Sequence, residues 1–158
     1  MSRYISLRRN QHLCSVSNMD GLSSAASVIA VIQLTGSLVE LCGGYIQQVK
    51  HARDEILTLQ RAIIGLQGTL QDLQNLVQTN NGNTLPTSSR LVGNITDCLS
   101  DLRGLETRLD PGKRKKLMRK VGWRALKWPL KRTEVEEVIQ NLERYKTSFL
   151  LSLQVDQR

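Results

Sequence analysis

Two histidines, three cysteines and fourteen acidic residues are the side chains in this chain that could carry a proton, a metal or a nucleophilic step. Their spacing assembles none of these chemistries. His12 lies in a basic, serine-rich N-terminal stretch and His51 stands beside Lys50, and neither has a nucleophile and carboxylate placed for a relay. Cys14, Cys42 and Cys98 are odd in number and lack C-x-x-C spacing, so no disulfide framework or zinc site is indicated, and reducing cytosol is the default compartment. No phosphate-cradling G-x-x-x-x-G-K-[ST] loop and no G-x-G-x-x-G turn occurs. The expectation is therefore a non-enzyme without metal or cofactor.

What the residues do offer is electrostatic. From Pro111 through Thr133 there are ten Lys or Arg and no acidic residue, more positive charge than the whole chain's net +8. Within it Leu117, Val121, Ala125 and Trp128 share one helical face, which predicts a short basic amphipathic helix with tryptophan interleaved. Such a helix suits an anionic membrane surface, where each basic group near the headgroups adds roughly 1 kcal/mol. The candidate lipid-facing set is Lys113, Arg114, Lys115, Lys116, Arg119, Lys120, Trp123, Arg124, Lys127 and Trp128. Nucleic acid competes for the same charge, but one Phe, three Tyr and no reading motif argue against it. The plainer alternative stays open: the tryptophans pack on a core and the charges are solvated.

The elements that would position this surface are helical throughout. Residues 1–18 contain no apolar run long enough for a signal peptide, and are expected to be a disordered extension before the domain at 19–158. From Gly21 to Ile46 apolar side chains reach most of the way round a helix whose one charge is Glu40, with Ser23 or Ser24 as a start cap and Gly43-Gly44 as a weak point or end. Its nineteen uncharged residues, Gly21 to Val39, would extend roughly 28 Å, close to a hydrocarbon core. The interspersed Ser, Thr and Gln favour a core helix of a soluble bundle, yet a helix buried in one state can insert in another. Leu22, Ile29, Val31, Ile32, Leu34, Leu38 and Leu41 are the candidate inserting residues.

Ile56, Leu59, Ile63, Leu66, Leu70, Leu73 and Val77 then alternate steps of three and four, the seam of a helix packing lengthwise on others. Asn80 to Pro86 reads as a connection between antiparallel helices, and Leu91, Val92, Ile95, Cys98, Leu99, Leu102, Leu105 and Leu109 form a third stripe. Asn94-Ile95-Thr96 matches a glycosylation acceptor by chance, since Ile95 belongs to that stripe. Pro129 stops the basic segment, and Thr133-x-x-Glu136 is a capping box opening a last helix whose stripe is Val135, Val138, Ile139, Leu142, Tyr145, Phe149 and Leu153, expected to cover the first. The predicted fold is all-α: an antiparallel helical bundle of four longer helices plus one short basic amphipathic helix.

The run Met19-Asp-Gly-Leu-Ser-Ser-Ala-Ala-Ser-Val-Ile-Ala-Val-Ile-Gln-Leu-Thr-Gly, then Tyr45 and Val49-Lys50, then Leu126-Lys-Trp-Pro-Leu-Lys131, Glu134-Val-Glu-Glu and Leu142 to Gln157 resemble the HeLo-like N-terminal domain of fungal STAND proteins, which precedes NACHT or NB-ARC modules and repeats. The resemblance covers Met19 to Gln157; its more specific part is the Leu-Lys-Trp-Pro segment with the Phe-Leu-Leu-Ser-Leu-Gln-x-Asp-Gln ending. It implies a fungal NLR-like receptor system in which helical bundles oligomerise, expose the N-terminal helix and permeabilise the plasma membrane in regulated cell death. Implied partners are other HeLo-like or STAND proteins, with anionic lipids as a membrane partner, and the implied location is cytoplasm with recruitment to the plasma membrane. Because the sequence ends at Arg158, where a linker to a nucleotide-binding module would follow, a truncated gene model or a stand-alone domain is expected. The alternative function is a helical protein-interaction adaptor without membrane activity.

Overall fold

The structure, a computed structural model, describes residues 12–79, 88–110 and 127–156, with side chains at 25–79, 90–110 and 127–154. Among the described residues there are four α-helices and no strand: α1 (His12–Gln48), α2 (Arg53–Thr79), α3 (Ser88–Leu109) and α4 (Arg132–Asp156). The described residues are all-helical apart from short connections, as the periodicity of the sequence predicts. The short basic helix expected at 113–128 and the connection at 80–87 lie largely or wholly outside the described residues.

Packing follows the apolar seams. In α2, Ile56, Leu59, Ile63, Leu66, Leu70 and Leu73 are all fully buried, and Val77 is half-buried at the helix end. In α3, Leu91, Ile95, Cys98, Leu102, Leu105 and Leu109 face the core, and α4 supplies Val135, Leu142, Phe149 and Leu153. Leu130, ahead of α4, joins the same core, which the stripe read from Val135 onward does not include.

α1 packs along α2 and α3, and α4 packs along the same two helices from the other side. The last helix is therefore set across the core from the first. The expectation that it covers residues 22–41 is corrected: α2 and α3 flank that helix. Contacts at named positions give the register. Gly36 faces Gln67 and Gly43 faces Gln60, each 3.8 Å from where a Cβ would sit. Between α3 and α4, Asn94 Nδ2 donates to Ser148 Oγ (2.6 Å), Tyr145 Oη donates to Asp101 (2.7 Å) and Arg108 meets Glu134 (2.6 Å). Asn94 is thus engaged in helix packing, consistent with a chance acceptor match.

Helix ends differ from the sequence expectations in physically specific ways. α1 runs from His12 across Met19, Ser23 and Ser24 without a break, so neither serine caps it. It also passes through Gly43-Gly44 to Gln48; Gly43 faces Gln60 of α2, whose Nε2 donates to the Val39 carbonyl (3.0 Å). α4 starts at Arg132, before Thr133, so the expected capping box is displaced by two residues. The carboxylate of Glu134 accepts from the Lys131 amide (2.7 Å), and the Lys131 carbonyl accepts the first helical bond, from Val135 (3.0 Å). Glu136 instead reaches Arg132 one turn back (3.1 Å). Pro129 keeps its predecessor extended, and two residues later the chain is free to turn.

Candidate functional site

α1 divides the candidate inserting residues between core and surface. Val31 and Leu38 are fully buried and Leu34 nearly so; Ile32 and Leu41 are half-buried; Ile29 is 38% exposed; the Leu22 side chain lies outside the described ones. Among the described side chains of this helix, the exposed ones are Ala26, Ile29, Gln33, Ser37, Glu40, Gln47 and Gln48, a small and weakly polar face with one charge. Thr35, the buried polar residue of α1, satisfies its hydroxyl locally by donating to the Ile32 carbonyl (2.7 Å). Among the described residues one segment, Ala25–Gln48 with a mean hydropathy of 1.7, is long and apolar enough to cross a membrane. A buried core helix meets the same description.

Of the candidate basic surface, Lys127 and Trp128 are described, and residues 113–124 are not. Lys127 is exposed. Trp128 does not lie open as the lipid-facing reading expects: it is half-buried, packed on the core, its ring edge-on to Tyr45 with centroids 5.1 Å apart and planes at 80°. Apolar area draws the indole inward. Tyr45 is in turn 3% exposed and donates its hydroxyl to the Leu109 carbonyl at the end of α3 (2.8 Å). This joint was missed by reading stripes alone. The available signal was a tyrosine in the core register of α1, because a buried phenol needs a hydrogen-bond partner.

Titratable groups in the core are held neutral. Burial pushes the Cys42 thiol up to about 11. Burial, with the charge of Asp101 adding to it, pushes Cys98 up to about 12. Burial and the bond to Asp101 keep the Tyr145 phenol well above its ordinary value. Neutral thiols are poor nucleophiles and poor metal ligands. Among the described residues no group of His, Cys, Asp and Glu could hold a metal ion.

A groove of about 400 Å³ opens between the N-terminal ends of α2 and α4, lined among others by His51, Asp54, Glu55, Thr58, Arg132 and Glu136. Three of these side chains are engaged with neighbours. Thr58 donates to the Asp54 carbonyl (2.8 Å) and Arg132 pairs with Glu136. Comparison with protein-family models, with curated proteins and with solved structures returns no match for this chain.

Proposed function

We propose that the chain is a non-enzymatic effector or signalling domain of a fungal NLR-like receptor system, which oligomerises and targets or permeabilises membranes in regulated cell death. The observation that carries this reading is α1: a segment of membrane-spanning length whose outward face bears one charge, Glu40, and which already exposes Ile29. Support comes also from the resemblance at 19–157 and from ten basic residues without an acidic one between 111 and 133. Residues 113–128 are read as the short basic helix that meets anionic lipid. The reading includes an antiparallel order of the bundle, supported by the pairs 36 with 67, 43 with 60, 94 with 148 and 108 with 134. Withdrawing Val31, Leu34 and Leu38 from the core would cost about 1.5–3 kcal/mol each, which hydrocarbon would return. In the resting state the protein is cytoplasmic, with related HeLo-like or STAND chains as partners.

Flotation with phosphatidylserine vesicles tests the proposal. Binding that falls as salt rises, and that drops on replacing Lys113, Arg114, Lys115 and Lys116 by Gln, is expected. A charge at Val31 would confound the test by unfolding the core; Ile29→Lys places it on the exposed face. Absence of lipid association with or without oligomerisation would sink the reading.

The second reading, an adaptor that binds only protein, is favoured by Ile64, Leu150 and Leu151, exposed by 49%, 41% and 57%. It expects a stable oligomer without lipid affinity, disrupted by Leu151→Lys.

A further inference from the structure

We propose that Trp128 is a latch that fastens the C-terminal part of α1 to the end of α3 and the approach to α4, and that withdrawal of its indole is the step that loosens α1. Three helices meet at this point. Tyr45 of α1 gives its hydroxyl to the Leu109 carbonyl, one of the last carbonyls of α3 that no amide of the same helix reaches. Trp128 covers the Tyr45 ring edge-on. Just beyond it, Leu130 enters the core and Glu134 holds both the Lys131 amide and the Arg108 guanidinium of α3.

The members of the joint are unequally held. The Tyr45 hydroxyl has its acceptor, whereas Trp128 Nε1 is buried without a partner among the described residues. A buried N–H without an acceptor forfeits the hydrogen bond that water gave it. Among the described residues the indole is therefore retained by ring contact and apolar area, and it is the member whose polar tip gains by leaving. Its departure uncovers the Tyr45 ring and leaves the end of α1 held by the Tyr45 hydroxyl and by Cys42 and Ile46 against the core. Gly43 and Gly44 immediately precede Tyr45, and a Cβ at Gly44 would meet nothing within 4 Å. The inference rests on the membrane reading only for what a loosened α1 then does.

Amide hydrogen exchange on the full chain, without lipid, tests the latch. Trp128→Ala is expected to speed exchange about tenfold across 38–48 while 56–73 in α2 keeps its protection. Trp128→Phe keeps a ring and removes the unpaired N–H, so it is expected to leave 38–48 at least as protected as in the unsubstituted chain. Should the alanine variant fail to fold, Tyr45→Phe decides: loss of its bond to Leu109 is expected to raise exchange at 105–109 and 38–48 together. A uniform rise in all four helices, or equal effects of Ala and Phe at Trp128, would overturn the latch. With Trp123→Phe, the emission of Trp128 is then followed on adding phosphatidylserine vesicles. Binding with unchanged emission overturns the withdrawal step and leaves the membrane reading intact. No binding, with the exchange pattern as expected, overturns the membrane reading and leaves the latch.

Discussion

Glu134 makes two bonds that few single side chains could replace. The Lys131 amide, ahead of the Arg108 guanidinium, holds its carboxyl below the ordinary 4.5. A carboxyl held lower in the folded chain than in the unfolded one stabilises fully above 4.5, and the contribution disappears as pH falls through the folded value. Glu134→Gln is thus expected to melt lower at neutral pH, with the difference closing as pH falls below 4.5 through the lowered folded value, in thermal scans. The thiols carry the opposite sign. Cys42 and Cys98 have folded values of about 11 and 12 against an ordinary 9.0, so their neutral forms stabilise fully below 9.0 and less as pH rises beyond it. Both are expected to resist iodoacetamide at pH near 8 and to react once guanidinium unfolds the chain, read by peptide mass mapping.

At the scale of the helix, α2 is where the letters of the chain said most. A seam that repeats at three and four has one way to be buried, and each of its residues from Ile56 to Leu73 lies in the core. Leu66→Ala is expected to cost about 2–5 kcal/mol in denaturant unfolding, and Val77→Ala distinctly less. On the outer face of α3, Gly104 has open space where a Cβ would go, so Gly104→Ala is expected to add about 0.5–1 kcal/mol by restricting the unfolded chain. α1 was harder to read because its apolar residues surround the axis, leaving the buried face undecided until α2 and α3 select Val28, Val31, Leu34, Leu38 and Cys42. The start of α4 was misplaced for another reason. Lysine is no usual helix cap, and at Lys131 it is the main-chain amide and carbonyl that do the work, which residue type does not reveal. Trp128 was legible as an amphipathic residue, but its partner Tyr45 is 83 positions away, beyond any local pattern.

Across the whole molecule, periodicity predicted helices and inner faces but not neighbours. Nothing in a stripe says which other stripe it meets, and the placement of α4 across the core from α1 follows from side-chain fit along both flanks of α2 and α3. This matters for the proposed release of α1. A change arriving at α4 reaches α1 chiefly through the two helices between them, or through Trp128 at one end. The exposed Leu150 and Leu151 sit on α4, so a partner docking there would act at a distance from the segment that is proposed to insert.

The same arrangement makes each half of the chain depend on the other. α1 and α2 form one half, α3 and α4 the second, and the long flanks of α1 with α3 and α2 with α4 both cross between halves. A protease site introduced between Thr79 and Ser88 should consequently yield two fragments that elute as one complex. Expressed separately, neither should fold alone, and mixing them should restore the helical signal, which makes the chain a natural split reporter.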